Sequence, residues 1–376
     1  MIVQPRDYIE TKDHLFFAVN TYTHPENAYI AFLRYVPCDE GDREINGIKY
    51  KKVDSIEAYE YLRKNHPNYL FTWNIENKKM MGVPREDILE IRSPITRLNE
   101  IINSKTTDEY YRKVSLLANT FHEEAGISYE DMGITGSTLL HLQKPTESDI
   151  DFIIYGLENH KKAITLYGKL KNDENSVLDK IDDEYWNQIY KKRIKDNSLT
   201  LDEYKWYENR RNNRGLIQDT LFDITLTLKP EEVISEEIIN IKQEGRMKIK
   251  CKISDDSQSY NVPATYIIED VEVLEGPIVN IEKILSYTHT YTGIVQNNER
   301  VIASGMCEKI ITKDYENPKY NLIIGTTRES LNEYIKLEKN PIKKNKMMNI
   351  DYNTSLTRSI SNLAVFATVI TAMTPA

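Results

Sequence analysis

Asp149 and Asp151 stand two positions apart in Ser148-Asp149-Ile150-Asp151-Phe152, eleven residues after the pair Gly136-Ser137. In an extended strand, Ile150, Phe152 and Ile154 share one face and both aspartates the other. Two carboxylates that close raise each other's pKa unless a cation or donors compensate. A divalent cation, Mg²⁺ (or Mn²⁺), meets that need, because hard cations take oxygen ligands and combine one or two carboxylates with substrate phosphates. Upstream, residues 132–135 read as a short strand that breaks at Gly136-Ser137, and residues 137–142 as a helical turn. Backbone N–H groups at a helix start attract anions, and a glycine lets the chain approach them closely. A triphosphate fits between this turn and the aspartates.

A third carboxylate has the same setting. In residues 220–228, Phe222, Ile224, Leu226 and Leu228 alternate with Asp223, Thr225 and Thr227, so Asp223 repeats the logic of Asp151.

The Gly136-Ser137 turn, the Asp149-Ile150-Asp151 run at that spacing and the strand aspartate Asp223 together resemble the polymerase-beta-type nucleotidyltransferase superfamily, over residues 132–228. Arg34-Tyr35-Val36-Pro37, Tyr50-Lys51-Lys52, Arg210-Arg211-Asn212-Asn213-Arg214-Gly215 and Pro263-Ala264-Thr265-Tyr266 are also similar to an archaeal family of predicted nucleotidyltransferases with no settled substrate. The superfamily resemblance implies attack of an acceptor hydroxyl on the α-phosphate of an NTP, with release of pyrophosphate and two Mg²⁺ ions roughly 3.5–4 Å apart. It implies Asp149, Asp151 and Asp223 as catalytic metal ligands and Gly136 and Ser137 as holders of the triphosphate. Arg210, Arg211 and Arg214 arrive just before the Asp223 strand. Their forks suit phosphate oxygens, and pairing with Glu203 and Glu208 at a helix end suits them equally.

Three readings of function stay open. The leading one is a magnesium-dependent enzyme that transfers a nucleotide to RNA or another macromolecule, with the flanking modules choosing the acceptor. The others are nucleotidylation of a protein or small molecule, and an inactive nucleotide- or RNA-binding module.

The elements around these residues divide the chain, with fold class α/β (α+β). Residues 1–95 read as a small N-terminal α/β module, with strands at 15–19 and 29–33, a hairpin turn at Asn46-Gly47 and a helix over 55–64 capped by Ser55. Residues 96–230 form the expected nucleotidyltransferase domain with a mixed sheet. Its first long helix starts near Thr106 or Thr107, and Tyr110, Val114, Leu117 and Phe121 form its core stripe. A charged helical insertion occupies 179–214, with Tyr185, Trp186, Ile189 and Tyr190 buried and Lys191, Lys192, Arg193 and Lys195 exposed. Residues 231–338 alternate short strands with turns and predict a small β-barrel. Within it Tyr287, His289 and Tyr291 suit base stacking, although packing is the commoner use of such tyrosines. His141 reads as a helix-surface residue.

The 376 residues suffice for two or three cores. A formal net charge of −9 argues against a uniformly basic nucleic-acid coat while leaving room for local patches. Cys38, Cys251 and Cys307 are widely spaced and suggest neither a disulfide framework nor a zinc site. The N-terminus has no apolar signal core, which makes a cytoplasmic location the default. A tail at 339–376 carries a basic stretch at 343–346 and an apolar run at 363–370, well short of the ~20 residues of a membrane helix, so no membrane insertion is expected.

Overall fold

The computed structural model describes residues 3–144, 147–234, 236–313, 317–327 and 330–342. The chain up to Glu338 clusters as one compact unit and Lys339–Ala376 as a second. The basic stretch and apolar run expected in the tail lie outside the described residues. The fold is mixed α+β, built on three sheets.

The central sheet has five strands and carries the three aspartates. Met132–Ile134 runs antiparallel to Ile150–Tyr155, which pairs in parallel with Thr220–Thr227; Arg214–Ile217 and Leu178–Asp179 extend the sheet beyond. Strand alternation sorts the side chains as expected. Ile150, Phe152, Ile154, Phe222 and Ile224 point into a core shared with Val114, Leu117 and Phe121 of the Glu109–Ala125 helix and with Ala163 and Tyr167 of the Leu157–Leu170 helix. Asp151, Asp223 and Thr225 are left on the opposite face. Asp149 lies one residue before its strand, which starts at Ile150. The expected pairing of both aspartates on one strand face therefore becomes one strand residue and one residue in the entering loop.

Helix caps differ from expectation by one or two residues. In both helices an aspartate takes the cap, where its charge also meets the positive end of the helix dipole. Asp54, not Ser55, caps the Ser55–Asn65 helix: its Oδ1 accepts from the N–H groups of Ile56 and Glu57, while Glu57 Oε2 accepts from the Asp54 N–H. Asp108 likewise caps Glu109–Ala125, accepting from the Tyr111 N–H at 3.2 Å, which places the helix start past Thr106 and Thr107.

The N-terminal sheet joins eight strands around a core of Ile9, Phe17, Leu33 and Leu62. The C-terminal sheet pairs Ile238–Asp255 with Ala264–Glu275, then Ile281–Ser286, then Lys319–Ile324 in parallel, then Arg300–Thr312, which pairs back onto Ile238–Asp255. The ring of pairings closes, which is the barrel-like arrangement the turn spacing suggests. Sequence reading missed two of its strands, Ile281–Ser286 and Tyr334–Leu337. Cys251 and Cys307 are buried in its core and all three cysteines are free. The insertion helices Asp183–Arg193 and Leu201–Arg211 pack Trp186, Tyr204 and Tyr207 against this barrel. Among the described residues no helix is long and apolar enough to cross a membrane.

Candidate functional site

Asp151 and Asp223 are direct partners in register across the parallel pair, on the sheet face opposite the Glu109–Ala125 and Leu157–Leu170 helices. Adjacent strands lie about 4.8 Å apart, so this register brings two carboxylates together where no apolar side chain separates them. Gly136 completes the corner. Its φ is +65°, and a Cβ built on it would collide with Asp151 Oδ2. Glycine is therefore required at this position on two counts, backbone conformation and the approach of the carboxylate. Ser137 Oγ donates to Ser148 Oγ at 3.4 Å, which links the turn to the loop that carries Asp149. Tyr110 strengthens the same link, its hydroxyl lying 2.7 Å from Thr138 Oγ1 and donating to the Asp149 carbonyl at 3.0 Å.

The three carboxylates are not equivalent. Asp223 is clamped by its antiparallel neighbour Arg214, whose Nε and Nη2 both donate to it, the latter at 2.6 Å to Oδ2. Burial alone would raise the Asp223 pKa, but Arg214 overrides it and holds the carboxyl below its ordinary value. Asp149 and Asp151 have no such partner: neither carboxylate accepts a hydrogen bond or forms an ion pair among the described residues. Burial, then the charges of Asp223 and Asp149, push Asp151 up to about 6. Burial and Asp223 also raise Asp149. An acidic pair without donors is a site whose charge calls for a cation. No group of three or more His, Cys, Asp or Glu side chains is gathered around one point among the described residues, and Asp223 is held by Arg214.

Basic groups surround the acids. Arg6, Arg193, Arg211, Asn213, Arg214, Thr225 and His289 line a cavity of about 120 Å³ together with Asp151 and Asp223. They come from all parts of the compact unit. Arg6 precedes the first strand, Arg193 and Arg211 end the two insertion helices, and His289 begins a short 3₁₀ turn of the C-terminal barrel. Lys52 is also within electrostatic reach of Asp151 and Asp149.

The three arginines before the Asp223 strand separate in the structure. Arg214 and Arg211 line the cavity, Arg211 being ion-paired to Glu208 at 2.7 Å, whereas Arg210 points to Glu299 at 2.8 Å and lies over the Trp206 ring. Glu203 pairs with neither, since it forms a capping box with Thr200. Tyr291 is buried with its hydroxyl on Ser198, which fits packing, while Tyr287 is exposed. His141 is exposed and just follows the Gly136–Leu139 turn of helix.

Sequence reasoning missed Arg6, Asn213 and His289 as cavity residues and placed Arg193 on an exposed stripe. Arg193 had a signal: it is the last helical residue, where the stripe gives way to the buried Ile194. Arg6 had none, because its proximity to Asp151 comes only from docking of the N-terminal strands onto the central sheet.

No family model matches the chain, and no solved structure matches it. It is 39% identical over 353 residues to uncharacterized protein MJ1086 of Methanocaldococcus jannaschii, an alignment spanning 90% of this chain and 100% of that protein. At that identity and coverage, the chain belongs to the family of MJ1086.

Proposed function

We propose that this chain is a nucleotidyltransferase that moves a nucleoside monophosphate from an NTP to an acceptor hydroxyl, with RNA or another macromolecule as the acceptor. The observation that carries the reading is the register of Asp151 with Asp223 beside Gly136, with Asp149 and Asp151 left unpaired. The central sheet is on this reading the nucleotidyltransferase core, with the N-terminal and barrel modules around it.

The residues fit a divalent cation. Asp149 and Asp151 would hold Mg²⁺ or Mn²⁺, and Asp223 would join them on release from Arg214. When bound, the ion supplies charge neutralisation for the triphosphate and polarises the acceptor oxygen. The chain's own residues do the rest. Gly136 keeps the backbone clear of the Asp151 carboxylate, Ser137 ties the turn to the Asp149 loop, and Arg214 holds Asp223 ionised. The arginine-lined cavity on the far side of Asp151 lies apart from the Gly136-Ser137 turn.

One observation favours a second reading, a nucleotide- or RNA-binding module without catalysis: Asp223 is already neutralised by Arg214. The two readings separate in one experiment. The purified chain is incubated with each α-labelled NTP, Mg²⁺ and total cellular RNA or protein. Label transfer that disappears in Asp149→Ala and Asp151→Ala supports the enzyme. Label that persists in both variants removes the assigned site, and no transfer with intact NTP binding supports the binding module.

A further inference from the structure

The cavity beside Asp151 is built for more than the acids it contains. Its guanidinium groups exceed its carboxylates: Arg6, Arg193, Arg211 and Arg214 face Asp151 and Asp223, with Glu208 behind Arg211. Three of the four are accounted for locally. Arg214 holds Asp223 in a fork, Arg211 donates to Glu208, and Arg193 lies 3.9 Å from the same Glu208. Arg193 and Arg211 also end helices, where the dipole favours a cation. Arg6 has neither advantage. Its side chain makes no hydrogen bond or ion pair with a described residue, and burial lowers its pKa against the pull of Asp151.

Unused hydrogen-bonding capacity lies around the same space. Arg211 is 3% exposed and its Nε has no partner. A donor of a charged group buried without an acceptor is costly, and such sites are completed by water or a ligand. Four arginines around one small space select an oxyanion, and a tetrahedral one in particular, because guanidinium forks match phosphate oxygens. Size argues the same way. At about 120 Å³ the cavity is well below the roughly 300–1,000 Å³ of pockets that enclose whole small molecules, so it suits one phosphate group rather than a nucleoside.

We infer that this cavity is a phosphate-binding subsite, completed by Arg6 from the N-terminal module and His289 from the barrel, that receives a phosphate carried by the acceptor. The assignment to the acceptor rests on the nucleotidyl-transfer reading above. Gly136 and Ser137, where that reading places the triphosphate, do not line the cavity; Asp223 and Thr225 on the other side of Asp151 do. The acceptor is then a phosphorylated molecule, such as an RNA whose backbone or terminal phosphate enters the arginine cavity while its hydroxyl faces the aspartates.

The test uses the full chain, inorganic phosphate and a non-hydrolysable ATP analogue with Mg²⁺, each titrated alone and together by calorimetry. Phosphate is expected to bind with the same affinity whether or not the analogue is saturating. Arg6→Gln and, independently, Arg193→Gln are expected to weaken phosphate by about tenfold or more while leaving analogue affinity within about twofold. Arg193, at a partly exposed helix end, serves as the second variant should Arg6→Gln misfold. Displacement of phosphate by the analogue would return the cavity to the triphosphate and overturn the inference, as would phosphate affinity unchanged in both variants. No phosphate binding by the unaltered chain, with its analogue binding intact, overturns this inference alone. Absence of analogue binding with phosphate binding intact overturns the nucleotidyl-transfer reading alone.

Discussion

Gly136 and Gly126 form a matched pair that isolates the role of the turn. Gly136 has φ +65° and Gly126 has φ +66°, so an alanine at either pays the same backbone penalty for the left-handed region, about 1–2 kcal/mol. Their surroundings differ. A Cβ at position 126 meets nothing within 4 Å, whereas one at position 136 overlaps Asp151 Oδ2 and lies 3.0 Å from its Cγ. A carboxylate is the flexible end of a side chain and swings away, so the additional stability cost is small. The functional cost is not, because a displacement of about 1 Å at a reacting group is enough for ~10²-fold. Gly126→Ala and Gly136→Ala are therefore expected to lower unfolding stability similarly in denaturant titrations. Only Gly136→Ala should lose label transfer from NTP, by about a hundredfold. Equal transfer by both variants would refute the argument that the glycine exists to make room for Asp151.

Other consequences follow from the same geometry. The Asp151 carboxyl titrates at about 6 in the fold against its ordinary 3.8, so in the absence of divalent cations its contribution to stability is complete below about pH 4 and is lost as pH rises through 6. Asp151→Asn should thus gain stability over the wild type at pH 8 by more than at pH 4, and an equal effect at both would remove the buried-charge account. Arg210→Ala should reduce stability, because it breaks the Glu299 pair and the Trp206 contact, yet leave NTP affinity within about twofold; a large loss of affinity would bring Arg210 back into the phosphate site. Phe152→Ala removes a fully buried ring whose centroid lies 5.7 Å from that of Phe121 and should cost about 3–5 kcal/mol in denaturant unfolding, whereas a loss below 1 kcal/mol would show that the sheet–helix core collapses to fill the space.

How much of this was legible beforehand depended on the range of the signal. Alternation in 150–154 and 222–228 placed Phe152 and Ile224 in the core and Asp151 and Asp223 opposite them, because the period of a strand is a local property. The parallel pairing that sets Asp151 against Asp223 joins segments separated by three helices and a further strand pair, and no local pattern specifies that register. Capping was read to within two residues: Ser55, Thr106 and Thr107 are acceptable caps by type, as are the adjacent Asp54 and Asp108 that take the positions, and residue type alone does not choose between such neighbours. Arginines were the least legible. Arg210, Arg211 and Arg214 look alike in sequence, yet helix termination after Arg211 sends one to the barrel, one to Glu208 and one to Asp223. Arg6 enters only through tertiary docking, and composition gives no hint of it.

The claim on which the rest depends is that Asp149 and Asp151 hold a divalent cation in the service of a nucleotide. Mn²⁺ titration followed by electron paramagnetic resonance, with and without a non-hydrolysable NTP, measures this directly. The account predicts Mn²⁺ binding that tightens when the nucleotide is present and falls by at least about a hundredfold in Asp149→Ala and in Asp151→Ala. Nucleotide-dependent Mn²⁺ binding that survives unchanged in both variants would contradict it.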